Sequence, residues 1–496
     1  MNDKLEAYDS FMMKKIRKNR EEASSLDPTK EERKRIEKLV TAYTDRFLES
    51  LSAQKAYTPF DSSINELLDE PIEEEPAKIE ELIRDIEERI IPPGINPASG
   101  AHMGYIPGGG LVASAAADYI AAITNPYAGV YSCAPGAVCL ESRLIRWMTE
   151  LLGYPDGSGG NLASGGSIAN LTAIVTARED AGIRSKDVAG QVVYLTRQTH
   201  HCVDRALNIA GMGECARRYV PMDSRFRMKP GNLEEFIEKD RTEGLTPWLV
   251  VGSAGTTNTG AVDPLEDIGK IAGNHHLWFH VDAAYGGFFL LTEEGKKKLN
   301  GIEMSDSAVL DPHKGLFIPY GLGALVVREV EKLAYAHRYQ ADYMLDTKTD
   351  HGIYSPADLS PELSKHFRGL RLWLPLKLYG IQAFRSALDE KLLLAKYAWK
   401  RLNEMEDVEV SPEPQLSIFM FRYKPSDGDA DELNKQLHQS IIRDGRVFLS
   451  TTRHNGHFMF RLAVLSFRTH LEQIDRFLSL FREKISELND AERKTQ

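Results

Sequence analysis

Three patterns of apolar positions succeed one another along the chain. In the first hundred residues they recur at helical spacing, as with Ile36, Leu39, Val40, Tyr43 and Phe47 within residues 30–51. Pro71, Pro76, Pro92 and Pro93 cut this region into pieces. Such an arm has little core of its own and is expected to pack on something else, a partner subunit first. From about residue 112 the pattern changes to short apolar, β-branched runs at 192–196, 248–252, 277–281, 308–310 and 324–327. Helical spacing fills several of the intervals, at 168–177, 232–239 and 264–272. Strands alternating with helices predict a mostly parallel sheet covered on both faces. After about residue 375, residues 408–423 and 446–464 read as strands. Asn455-Gly456, between FLSTTRH and HFMFRLAV, is a hairpin signal. An amphipathic helix (Leu471, Ile474, Phe477, Leu478, Phe481, Ile485) follows. The predicted organisation is a helical arm or dimerisation segment over 1–111, a large α/β domain over 112–375 and a small α+β domain over 376–496.

Composition narrows the picture. A chain of 496 residues suits two or three domains, and 42% hydrophobic with 27% charged residues suits a large soluble core. A net charge of −11 disfavours a nucleic-acid partner. The acidic stretch 66–88 reads as a solvated helical surface. Four cysteines (Cys133, Cys139, Cys202, Cys215) make no disulfide framework, and no Cys/His cluster suggests a metal site. A reducing, cytoplasmic location fits. The chain starts with a polar stretch instead of an apolar signal, and no window approaches the roughly 18 apolar residues that span a bilayer.

The chemistry concentrates in a few segments of the middle region. In LDPHKGLFIP, Lys314 follows a short apolar run, and about thirty residues upstream LWFHVDAAYGG places Asp282 at the end of another. Both are expected at carboxyl ends of strands, where ligands of such sheets bind. A lysine there, partly desolvated, can form a Schiff base, and a buried carboxylate can hold a pyridinium proton. Those are the two protein groups that pyridoxal phosphate (PLP) requires. Ala283 and Ala284 are small enough for a flat ring to approach. Ala163-Ser164-Gly165-Gly166-Ser167 precedes a helix, and backbone N–H groups at a helix start make an anion site suited to a phosphate. His200, in QTHHCVDRA, could stack on the ring, with His201 beside it as a rival; Thr256 and Thr257, in SAGTTNTGA, offer hydroxyls to the same edge.

The ordered set HHCVDRA, SAGTTNTGAVDP, FHVDAAYGG, DPHKG and FRLAVLSFRTH resembles the PLP-dependent group II amino-acid decarboxylases, the family of aromatic-L-amino-acid decarboxylase, from about residue 97 to 469. The resemblance implies the PLP fold-type I (aspartate aminotransferase-like) architecture and a homodimer with active sites at the interface. It implies that Lys314 carries the cofactor, with His313 immediately before it. Asp282 would pair with the pyridine nitrogen, Ala284 pack on the ring and His200 stack on the other face. Gly165, Gly166 and Ser167 would hold the phosphate, and Thr257 would lie near the cofactor. At Asp311 many relatives have asparagine; an ionised carboxylate would repel a phosphate, so no direct phosphate contact is expected of it. Residues 339–362 resemble a mobile loop whose tyrosine returns a proton to the carbon left by CO₂. Tyr343 matches best, with His200 assisting, and Tyr339 and Tyr354 are rivals. Relatives with phenylalanine there tend to be oxidative aldehyde synthases. HMGYIPGGG (102–110) resembles the family's substrate-proximal loop, with Tyr105 and Ile106 as substrate-binding residues.

The expected activity is decarboxylation of an L-amino acid, aromatic by preference (tyrosine, phenylalanine or tryptophan), to the amine and CO₂. Glutamate, aspartate or diaminobutyrate as substrate, or a non-catalytic PLP-binding regulatory or storage protein, are the alternatives. An aminotransferase would need an arginine on the substrate carboxylate; Arg461 or Arg468 could be offered, though a strand arginine is more often an ion pair.

Overall fold

In the computed structural model, which describes residues 2–338, 353–425 and 428–495, the β-branched runs of the middle region become a seven-stranded sheet. Its strands are β1 (Gly159–Ala163), β2 (Gln191–Leu195), β3 (Ala216–Tyr219), β4 (Thr246–Ser253), β5 (Trp278–Asp282), β6 (Ser307–Leu310) and β7 (Gly323–Val327). The spatial order is β1–β7–β6–β5–β4–β2–β3. Strands β2 to β6 pair in parallel, and β7 runs antiparallel to both its neighbours. Two strands carry no β-branched run. β1 is GGNLA and β3 is ARRY, at the two edges of the sheet.

Register sets the functional end. Ser253 lies opposite Asp282, and Asp282 opposite Val309, so three adjacent strands end at one level. The chain leaving each of them enters the same space, the carboxyl-end crevice of a parallel sheet. Helix α1 (Gly166–Asp180) buries Ala169, Ala173 and Ala177. Small side chains let it lie close to the sheet.

A buried ion pair ties this framework together. The Lys365 ammonium donates to Glu141 at 2.8 Å, to Asn161 Oδ1 at 3.1 Å and to the Leu162 carbonyl at 3.1 Å. Glu141 also accepts from the Gly369 amide at 2.9 Å, at the start of helix α2 (Gly369–Asn403). That helix breaks at Gly380, whose φ is 72°.

A second, antiparallel sheet consists of β8 (Val408–Val410), β9 (Ile418–Tyr423), β10 (Ser450–His454) and β11 (His457–Ala463), in the order β8–β9–β11–β10. Asn455 and Gly456 take φ of 49° and 84° between the paired His454 and His457, a two-residue hairpin turn as its sequence predicts. The expected strand over 408–423 is two strands, because Pro412 and Pro414 interrupt it.

Residues 1–54 and 58–95 form a separate compact unit from 55–57 and 96–496. Within the first unit, helix Lys30–Ser50 starts at a capping box: the Thr29 hydroxyl accepts from the Glu32 amide and Glu32 accepts from the Thr29 amide. Arg35–Glu80 and Arg46–Glu87 ion pairs join it to the following acidic segment. No residue of that helix is buried. Among the described residues no helix is long and apolar enough to cross a membrane.

Candidate active site

The strand ends converge on a cavity of about 300 Å³. Lys314, Asp282, Ala284, His200, Gly165, Gly166, Ser167, Thr257 and His313 all line it. Asp282 is the last residue of β5, and its Oδ1 accepts from the Ala284 amide at 3.2 Å. That bond closes the turn and leaves the carboxylate facing the cavity. Lys314 lies four residues beyond β6, on a single helical turn. Its ammonium sits 2.8 Å from Asp311 Oδ2. Burial works against the charge, but Asp311 and then Asp282 outweigh it and hold the lysine above its ordinary pKa. Before it meets a cofactor, Lys314 is an ammonium held by a buried carboxylate.

His200 caps helix His201–Ile209, its Nδ1 accepting from the Cys202 amide at 3.3 Å. Burial lowers its pKa, against the opposing pull of Asp282, so the imidazole is neutral near pH 7. His201 stands beside it, ring centroids 4.2 Å apart, and does not line the cavity. The His313 ring pairs through Nδ1 with the Leu322 carbonyl, and its Nε2 lies 3.8 Å from Asp311 Oδ2. The Thr256 hydroxyl is spent on its own loop, 2.6 Å from the Thr259 hydroxyl and accepting from the Ala261 amide. Thr256 itself lines the cavity beside Thr257.

The residues fit PLP. The amides that begin α1 open onto the cavity at Gly165, Gly166 and Ser167, where a phosphate gains from the helix start. A β-carbon at Gly166 would come within 2.7 Å of Asp311 Oδ2, so only glycine leaves this turn open. An amine, a carboxylate, a small alanine floor and a neutral imidazole complete the donor set for a flat, phosphorylated pyridine aldehyde.

Pattern reading missed Asn170, Cys202, Ser253 and Tyr285, which also line the cavity. Asn170 had a signal: it lies one helical turn after Gly166 and so shares its face. Its Nδ2 donates to the Gly166 carbonyl at 2.9 Å, and its Oδ1 sits 2.8 Å from His280 Nε2. His280 Nδ1 sits 2.8 Å from the Ser307 hydroxyl, which accepts from Trp278 Nε1 at 2.9 Å. Tyr105 and Ile106 do not line the cavity. Ile106 packs on the main core, and Tyr105 is 58% exposed beside Phe448, ring centroids 5.7 Å apart. Tyr343 and its rival Tyr339 lie outside the described residues. Tyr354 is half-buried against the cluster that contains Ala284.

Comparison with known proteins agrees with this geometry. Residues 62–424 match the family model described as the pyridoxal-dependent decarboxylase conserved domain. The chain belongs to the pyridoxal-dependent decarboxylases. It is 36% identical over 377 residues to aromatic-L-amino-acid decarboxylase of Bacillus atrophaeus, covering 75% of this chain and 78% of that one. It is 30% identical over 415 residues to tyrosine decarboxylase 2 of Arabidopsis thaliana, covering 81% and 76%. Among solved structures, that of Oryza sativa TDC with PLP and tryptamine matches with a TM-score of 0.87 at 22% identity, covering 93% of this chain and 99% of that one. At that identity the likeness shows the fold, the PLP fold-type I expected from the sequence. This pyridoxal-dependent decarboxylase is thus a carboxy-lyase with PLP as its cofactor.

Proposed function

We propose that the protein removes CO₂ from an aromatic L-amino acid, releasing the amine. One observation carries the aromatic reading. Among the described residues lining the cavity, Lys314 is the sole lysine or arginine, and it is committed to Asp311 and the cofactor. An acidic substrate side chain would be buried there without a cation, a costly arrangement. Outside that lining, Phe448, Tyr105 and His102 form an aromatic cluster, with Phe448 and His102 stacked at 5.3 Å, and its exposed member Tyr105 is proposed to meet the substrate ring. The likeness to the Bacillus atrophaeus enzyme supports the same reading.

Bound PLP supplies the electron sink for the bond to the departing carboxylate. Lys314 would hold the cofactor through its ε-amine. Asp282 would keep a proton on the ring nitrogen, and the Gly165–Ser167 amides would hold the phosphate. The neutral His200 ring and the small Ala284 line the same cavity and would pack against the flat ring. These contacts would orient the substrate, and orientation selects loss of carboxylate over loss of a proton. Tyr343, assisted by His200, returns the proton to the substrate carbon.

We further propose a cytoplasmic homodimer with the active sites at its interface. Val112, Ile120 and Ile123 are apolar and exposed on one helix, as a subunit contact requires. The test is CO₂ release by the purified, PLP-loaded protein from tyrosine, phenylalanine, tryptophan, glutamate, aspartate and diaminobutyrate. Release from an aromatic amino acid is expected; release confined to an acidic one overturns the aromatic reading.

A further inference from the structure

Arg461 lies on β11, 3% exposed, and no carboxylate pairs with it among the described residues. All of its hydrogen-bond partners are neutral. Nε donates to the Thr257 carbonyl, Nη1 to the Ser450 hydroxyl at 2.8 Å and Nη2 to the Tyr105 carbonyl at 2.6 Å. Desolvation lowers its pKa to about 10, a sign of what the buried charge costs. An arginine kept inside without a counter-ion is explained by the geometry of its fork, which can hold several segments in fixed directions at once.

The segments are informative. Thr257 lines the cofactor cavity. Tyr105 is in the left-handed region at φ 49°, a strained setting for a bulky side chain. Both polar groups of its backbone are held by the β10–β11 hairpin: its amide donates to the Ser450 hydroxyl at 3.1 Å, and its carbonyl accepts from Arg461. The same hydroxyl accepts from Arg461, so the arginine, the serine and the Tyr105 peptide close one ring of bonds. The loop is also anchored without Arg461, through Met103 N to Phe448 O and Ala463 N to Met103 O, each 2.9 Å.

We propose that Arg461 is a positioning residue that holds Tyr105 in its left-handed conformation and fixes the distance between the substrate-side aromatic loop and the cofactor wall at Thr257. This rests on the reading of Tyr105 as substrate-facing. The arginine does not bind the substrate carboxylate, because its nitrogens are engaged with the protein.

The experiment compares Arg461→Gln, Arg461→Lys, Ser450→Ala and Tyr105→Gly, alone and with Tyr105→Gly added to each, by thermal unfolding of the PLP-loaded protein and by steady-state kinetics. Glycine adopts the left-handed angle unaided. The fall in unfolding temperature caused by Arg461→Gln is therefore expected to shrink by about half or more in the Tyr105→Gly background, since the strained residue no longer needs holding. Equal falls in both backgrounds overturn the proposal. Kinetically, both Arg461 variants are expected to raise KM for aromatic amino acids by about tenfold, with kcat changed less. Wild-type KM in Arg461→Lys would show that charge alone suffices and overturn the fork argument. If the Arg461 variants fail to fold, Ser450→Ala carries the same test: its effect on unfolding must also shrink in the Tyr105→Gly background. Should the wild-type enzyme decarboxylate no aromatic amino acid, the functional reading fails, while the thermal coupling still decides the role of Arg461.

Discussion

Replacing His280 by phenylalanine tests whether a neutral relay supports the phosphate end of the site. Asn170 Nδ2 must face the Gly166 carbonyl, so Asn170 Oδ1 is left to accept. His280 Nε2 therefore carries the proton, and with burial holding its pKa down at about 4 the ring is neutral. Nδ1 then accepts from the Ser307 hydroxyl, which in turn accepts from Trp278. Phenylalanine leaves one buried acceptor on Asn170 and one buried donor on Ser307, each worth about 1–3 kcal/mol, so a loss of about 2–6 kcal/mol is expected. Freed of its partner, Asn170 also loses its grip on Gly166, and PLP affinity should fall about tenfold for about 1.4 kcal/mol of lost positioning. The pH dependence has a definite sign. A histidine depressed from 6.5 to about 4 contributes stability that is fully present above pH 6.5 and is lost as pH falls through that window. Its share is about 3 kcal/mol. Urea unfolding of the cofactor-free protein should show the variant weaker at pH 7.5 and losing less between pH 6.5 and 4 than the wild type, whose buried His102 persists in both. Equal midpoints at neutral pH together with unchanged acid sensitivity would refute the relay.

Two other substitutions probe the charges. Asp311→Asn removes the main support of the Lys314 ammonium and leaves burial in control; capture of PLP by the cofactor-free protein, followed by absorbance, should then extend to lower pH, and an unshifted pH profile would count against the Asp311–Lys314 pairing. Lys365→Met strands Glu141 in the interior and should cost about 3–5 kcal/mol, seen as a lower unfolding temperature that Glu141→Leu added to it largely restores.

Much of the fold was legible because its strands announce themselves chemically. The inner strands are runs such as VVYL and ALVV, and the Asn455-Gly456 turn carries its backbone angles in its residue types. Edge strands were not legible: Gly159–Ala163 is held by pairing to Gly323–Val327, and Ala216–Tyr219 by pairing to Gln191–Leu195, with little in their own composition to favour extension. The site divides in the same way. Lys314, Asp282 and the glycine turn stand out because their chemistry is local to a motif, and the cavity gathers them. Asn170, Ser253 and Tyr285 depend on which way a helix or strand faces, and that follows from packing. The charge on Lys314 could not be read from its position alone, because the contact with Asp311, three residues earlier, sets it through space.

The five residues of Trp278–Asp282 show how one strand meets two demands. Alternation places Trp278, His280 and Asp282 on one face and Phe279 and Val281 on the other. Phe279 and Val281 are buried in the main core. The other face carries Trp278, packed in a second apolar cluster, then the neutral His280, and a carboxylate only at Asp282, at the cavity. That order matters electrically. An ionised His280 would pull on the same carboxylate that a pyridinium requires, since Asp282 already acts to raise the histidine's pKa. Burial of His280 between Asn170 and Ser307 prevents that competition. The relay that holds the phosphate turn therefore also leaves the Asp282 charge to the ring nitrogen, and the two roles are met by one alternating pentapeptide.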